Sequence, residues 1–182
     1  MAVALEVRKW TLPELHRLPE DGNKYEVVRG ELFVTPAPAV QHEEIAARLS
    51  AILTPYVQAE GLGYVYRPRA VLRYEGSEVE PDLLVRARHP RPTGRDRDWN
   101  TAPTPILVVE ILSPYTRNRD RVQKKELYID AGVGEYWIVD PEERAITVVV
   151  GPGAETLVRD DMRWAPAAAA RELRFRVSDL FE

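Results

Sequence analysis

The chain contains no cysteine, which excludes disulfides, thiolate metal sites and cysteine nucleophiles. No apolar run approaches the roughly 18 to 20 residues that a membrane-spanning helix needs. The opening residues, MAVALEVRKW, lack the basic-then-apolar order of a secretory signal, so a cytoplasmic protein without a membrane partner is expected. Surplus positive charge is missing too. A net charge of −4 argues against coating nucleic acid through charge alone. Lysine is scarce: Lys9, Lys24, Lys124 and Lys125 stand alone among arginines, so each lysine merits a separate look.

What is present describes one soluble globular domain over residues 1–182. Hydrophobic residues make up 45% and charged residues 30%, enough apolar material for a core and too much for disorder. There is no internal repeat, low-complexity tract or composition break.

Periodicity outlines the elements. WTLPELHRLP reads as a short helical turn, and YEVVRGELFVTP as a hairpin of residues 25–28 with 31–35. APAVQHEEIAARLSAILTPYVQAEG carries Ile45, Leu49, Ile52, Leu53 and Tyr56 at helical spacing. GYVYRPRAVLRY and EVEPDLLVRA read as two strands around the turn EGS. The stretch 88–103 has no periodicity, and a loop that long in a compact domain is usually functional or mobile. TPILVVEILSP is the most apolar strand, RNRDRVQKKELYIDAG a helix, and GEYWIVDP with AITVVV a further hairpin that ETLVRD extends. The segment ELRFRVSDLFE is left open. A strand bare of solvent-side residues between two helices predicts an α/β (α+β) sandwich: a mixed sheet with helices on both faces.

The chemistry starts at Glu110, a carboxylate inside the strand Ile106–Leu112. An unpaired buried carboxylate costs several kcal/mol, so it has to be protonated, paired or bound to a cation. Asp82 opens the preceding strand directly after Pro81. If the two strands are neighbours, both acids converge at one end of the sheet. Two carboxylates plus water suit Mg²⁺, with Mn²⁺ as a substitute, and suit zinc poorly. On a helical wheel Lys124 falls with Asp120, Leu127, Tyr128 and Ala131, facing the sheet, while Lys125 falls away from it. An ion on acidic side chains with an ammonium beside it is equipment for hydrolysing a phosphodiester.

These residues carry a resemblance. Pro81–Asp82, VVEILSP, RDRVQKKELYIDAGVGEYWIVDP, and upstream YEVVRGELFVTPAP and QHEEIAARL resemble a bacterial family of restriction-endonuclease-like proteins, a branch of the PD-(D/E)XK nuclease superfamily. The resemblance implies a core of order αβββαβ over residues 38–150, with an added N-terminal hairpin and a C-terminal hairpin. It implies DNA as substrate, endonuclease activity and a homodimer or higher homo-oligomer. It also implies Asp82, Glu110 and the Ile111 backbone carbonyl as metal ligands. The superfamily lysine would stand where this chain has Leu112; Lys124 matches a lysine moved to the following helix. His42 matches a histidine typical of the family. Glu44 and Glu26 are further candidates, although the wheel places Glu43 and Glu44 well off the apolar face of their helix.

Each residue also admits a structural reading. Asp82 and Glu110 could be satisfied by Arg67 or Arg69, Lys124 could pair with Asp120 at i,i+4, and His42 could be a core histidine. Tyr128, Tyr136 and Trp137 read as packing. The arginines at 86, 88, 91, 95 and 97 could meet phosphates or only solvent. A catalytically inactive DNA-binding or assembly module is the alternative to a nuclease, and Leu112 in the lysine position is its support. A phosphatase or nucleotide hydrolase is a third reading.

Overall fold

The computed structural model describes residues 8–88, 102–114 and 116–182. Most of the 88–103 loop, including Arg91, Arg95 and Arg97, lies outside the described residues. A helical turn, α1 (Leu12–Leu15), leads into the hairpin β1 (Lys24–Val28) and β2 (Glu31–Thr35), then the long helix α2 (Val40–Ala59). Four short strands follow: β3 (Tyr64–Tyr66), β4 (Leu72–Tyr74), β5 (Ser77–Val79) and β6 (Leu83–Arg86). Next come β7 (Leu107–Ile111) and a helix in three parts: α3 (Arg117–Arg119), a π-helical turn (Asp120–Lys124) and α4 (Lys125–Asp130). The strands β8 (Tyr136–Asp140), β9 (Ala145–Val149), β10 (Glu155–Val158), β11 (Asp161–Trp164) and β12 (Leu173–Arg176), then a 3₁₀ turn (Val177–Leu180), complete it.

The central sheet has the order β10-β9-β8-β7-β6-β3, and only its β7–β8 pair is parallel. A parallel pair needs a crossover, and the helix of residues 117–130 supplies it. Alternate residues of β7 feed two cores. Leu107, Val109 and Ile111 meet Ile45, Leu49 and Leu53 of α2, while Val108 and Leu112 meet Leu127 and Tyr128 of α4. A mixed sheet with a helix on each face is therefore present. The segment left open from sequence, residues 172–182, belongs to the first core: Val177 and Leu180 are buried there beside Trp164, which meets Trp137 edge-on at 5.7 Å.

Two expectations need correction. Each of the strands read from residues 63–74 and 78–87 is two strands, assigned to different sheets. Pro68 and Pro81 interrupt them, since proline has no N–H to give to a ladder. The N-terminal hairpin is also more than an addition: it joins β5 and β4 in a second sheet of order β2-β1-β5-β4. That sheet covers the α4 face of the central sheet, with Val28, Leu72 and Val79 packed beside Leu84 and Val108. Residues 80–82 are the passage from the small sheet to the large one.

Gly63 closes the bend from α2 into β3. Its φ is +134°, and a Cβ there would stand 1.9 Å from the Arg86 carbonyl oxygen, a backbone atom that cannot swing aside. Gly63→Ala should therefore cost more than about 2 kcal/mol in urea unfolding. Gly61→Ala, where a Cβ meets nothing within 4 Å, should cost visibly less.

Candidate active site

Glu110 sits on β7 and faces α4, where it is 2% exposed. Its Oε1 accepts hydrogen bonds from Lys124 Nζ at 2.8 Å and from the Tyr128 hydroxyl at 2.6 Å. Lys124 and Tyr128 stand four residues apart, so both reach inward from one side of the helix. The Lys124 ammonium, fully buried, also donates to Glu26 Oε1 at 2.8 Å and lies 3.7 Å from Asp120 Oδ1. The π turn contains both Asp120 and Lys124, and both are buried. Single π turns of this kind recur at functional sites.

Asp82 stands at the passage between the sheets. Leu83 pairs with Val109, so one further step of that antiparallel register sets Asp82 beside Glu110. Asp82 Oδ2 accepts the Ile111 backbone N–H at 2.8 Å and bonds His42 Nε2 at 3.0 Å from the first turn of α2. Lys24 Nζ, on β1, is 3.6 Å from Asp82 Oδ1 and 4.0 Å from Glu26 Oε1, and donates to the Glu80 carbonyl at 3.1 Å. Glu26 lies on the same strand with no exposure; its Oε1 also accepts the Glu80 N–H, and its Oε2 is 3.5 Å from Arg119.

Asp82, Glu110, Lys124, His42, Glu26 and the Ile111 main chain are thus brought together. Glu44 is not: it is exposed on α2 and does not line the cleft over the other acids. Arginine does not satisfy Asp82 or Glu110 among the described residues; Arg67 pairs with Glu43 at 3.2 Å instead. Lys125 points outward to Glu155 at 2.7 Å.

Lys24, Arg119 and the Tyr128 hydroxyl were missed from sequence. Tyr128 does pack, ring against Tyr136 at 4.8 Å, but its oxygen has a second task. The signal for Lys24 was the scarcity of lysine; nothing in its local sequence places it beside Asp82.

The charges interlock. Burial would raise the Glu26 carboxyl, but Lys124, Lys24 and Arg119 outweigh it and hold the pKa at about 2. Asp82 is likewise held low, because Lys24 and His42 overcome burial. His42 is raised, its burial being outweighed by the bond to Asp82. Lys124 is raised as well, Glu110 and Glu26 outweighing its burial. Glu110 goes the other way: burial, with Asp82 adding to it, outweighs Lys124 and lifts the pKa to about 7.

A cleft of about 1090 Å³ opens onto this group, lined by Lys24, His42, Asp82, Glu110, Ile111 and Arg69 among others. That exceeds the usual range of pockets for small ligands, roughly 300 to 1,000 Å³. Among the described residues, Asp82 Oδ1 and Glu110 Oε2 accept no hydrogen bond. No group of three or more His, Asp or Glu side chains there forms a ready-made cage. The donor set fits Mg²⁺, which binds through one or two carboxylates and keeps several waters. It does not fit zinc.

A carboxyl with a higher pKa in the folded than in the unfolded chain contributes stability that is complete below the unfolded value and lost as pH rises through the folded one. For Glu110 that window runs from 4.5 to about 7. Glu26 has the opposite sign, contributing stability above 4.5 that is lost as pH falls toward about 2. With EDTA present, the Tm of Glu110→Gln minus that of the wild type should therefore climb by roughly 5–10 °C between about pH 5 and pH 8. A difference flat across that range would contradict the raised Glu110.

Comparison with known proteins agrees with this architecture. Over residues 12–177 the sequence matches the family described as "Uma2: Putative restriction endonuclease". The fold is shared with the crystal structure of "a putative nuclease belonging to DUF820" from Anabaena variabilis ATCC 29413. The TM-score is 0.76 at 21% identity, over 94% of this chain and 97% of that one. A comparison with curated proteins finds no match. Among the described residues no helix is long and apolar enough to cross a membrane. With nearly the whole chain matched, this protein belongs to the Uma2 restriction-endonuclease-like family.

Proposed function

We propose that the protein is a Mg²⁺-dependent DNA endonuclease, with Mn²⁺ able to replace Mg²⁺. One observation carries the reading: Asp82 and Glu110 each tie one oxygen into the protein and, among the described residues, leave the other without a hydrogen bond beside a cleft. Asp82 and Glu110 would hold the ion, with the Ile111 carbonyl as a backbone ligand. A bound divalent ion supplies Lewis acidity, polarising a phosphoryl oxygen and lowering the pKa of a water.

The chain's own groups do the positioning. His42 and the Ile111 N–H fix the Asp82 carboxylate. Lys124 and Tyr128 fix that of Glu110. To reach a water or a phosphate, Lys124 has to part from Glu26, so in the present arrangement it acts through Glu110. Lys24 and the exposed Arg69 line the cleft where a phosphodiester would lie. Two copies acting together would cut both strands.

The alternative, an inactive DNA-binding or assembly module with the same fold, draws on a different observation. Lys124 is completely buried and bonded to two carboxylates, so Glu110 and Glu26 already share a cation without any metal.

Relaxation of supercoiled plasmid separates the two. Wild-type protein should nick it with Mg²⁺ or Mn²⁺ and not with EDTA, and Asp82→Asn should lose at least about 100-fold in rate, some 2.7 kcal/mol of transition-state stabilisation. Lys124→Ala should fall far below Lys125→Ala, whose lysine pairs with Glu155 at the sheet edge. DNA binding without nicking under every metal would favour the module. Turnover of mononucleotides but not DNA would favour the hydrolase.

A further inference from the structure

Lys24 has a place in the site that neither its sequence context nor the family description assigns. Its ammonium lies 3.6 Å from Asp82 Oδ1, the oxygen that accepts no hydrogen bond among the described residues. The same ammonium is 4.0 Å from Glu26 Oε1 and donates to the Glu80 carbonyl at 3.1 Å. The side chain is 21% exposed and lines the cleft, whereas Lys124 behind it is sealed. The two lysines therefore differ in kind. Lys124 is tied by short hydrogen bonds to Glu110 and Glu26. Lys24 has one hydrogen bond, to a main-chain carbonyl, and faces its two carboxylates at ion-pair distance with a route to solvent.

We propose that Lys24 is a resident counter-ion: it neutralises Asp82 while the site holds no divalent cation and swings toward the cleft when one binds. The inference rests on the metal-dependent reading above and adds a residue that sets the metal affinity. A unit positive charge at 3.6 Å from the ligand oxygen opposes a second cation at that oxygen. Its flexible stem lets the ammonium withdraw without disturbing β1, because only one hydrogen bond has to break. Lys24 is a positioning and affinity-determining residue in this account, and the ammonium released from Asp82 stays within the cleft.

Calorimetric titration of the purified protein with Mn²⁺ and Mg²⁺ tests it, comparing wild type with Lys24→Gln and Lys24→Arg. Lys24→Gln should bind Mn²⁺ at least about tenfold more tightly than wild type, a 1.4 kcal/mol difference. Lys24→Arg, which keeps the charge, should stay within about threefold of wild type. Equal or weaker binding by Lys24→Gln, with wild type binding normally, overturns the counter-ion role and leaves the metal site standing. No binding by any of the three overturns the metal reading and this inference with it.

Should Lys24→Gln not fold, the wild-type protein answers alone. With four lysines in the chain, ¹⁵N spectra of the ammonium groups are simple to assign. Adding Mg²⁺ should shift and broaden the Lys24 ammonium signal while the sealed Lys124 signal persists. A Lys24 signal that stays put at Mg²⁺ concentrations that saturate the site overturns the proposal.

Discussion

The buried ion pair between Lys124 and Glu110 is the constraint on which the rest of the structure depends. Removing one partner of such a pair strands a charge in an apolar interior, at a cost of about 3–5 kcal/mol. The pair joins the crossover helix to the most apolar strand of the central sheet, and through Glu26 it reaches the hairpin as well. Three elements distant in sequence are thus registered by one ammonium. A hydrophobic contact could bind them as tightly, but it would tolerate sliding. Short bonds at 2.8 Å do not.

The proline-marked crossing of residues 80–82 is the second half of that arrangement. Pro81 stands between β5 and β6, and the chain enters β6 with Asp82 at its mouth rather than within its ladder. At that position one carboxylate oxygen can take the Ile111 N–H from the adjacent strand while the other stays clear of the sheet. Placed two residues later, the acid would replace Leu84 and lie between the wholly buried Leu83 and Val85. The small sheet then folds over, delivering Lys24 and Glu26 on β1 from above. The site is therefore the seam between two sheets, and the hairpin that carries half its charges is part of it.

Much of this was legible in the sequence, and the gaps have a physical cause. Glu110 betrayed itself because a lone carboxylate in an apolar strand is expensive, and Lys124 because the wheel set it among Leu127 and Tyr128. Both inferences need only local periodicity. The wheel succeeded despite a π turn that widens the helix at Asp120–Lys124, since Lys124 ends that turn and Tyr128 follows it one α-helical turn later on the same side. Lys24 and Arg119 escaped because their partners lie far along the chain and no periodicity encodes a fold-over of one sheet on another. Broken strands escaped for a related reason: residues 63–74 alternate as one strand does, and only tertiary pairing shows that they serve two sheets. Glu44 illustrates the reverse, an acid in a suggestive neighbourhood that the helix turns toward solvent.

The charge count of the site also bears on when a metal would bind. Glu26, Asp82, Glu110 and Asp120 face Lys24, Lys124 and Arg119, with His42 raised toward its charged form. Such a cluster is close to neutral, and a divalent ion added to it leaves an excess of positive charge in a low-dielectric seam. Phosphodiesters are the natural complement of that excess. On the proposed reading, metal and DNA therefore favour each other's binding, and linkage makes the effect reciprocal: whatever factor DNA adds to metal affinity, the metal adds to DNA affinity. Lys24, once released from Asp82, would be part of that excess. On that reading a chain with net negative charge would hold a polyanion through positive charge supplied locally by the bound ion.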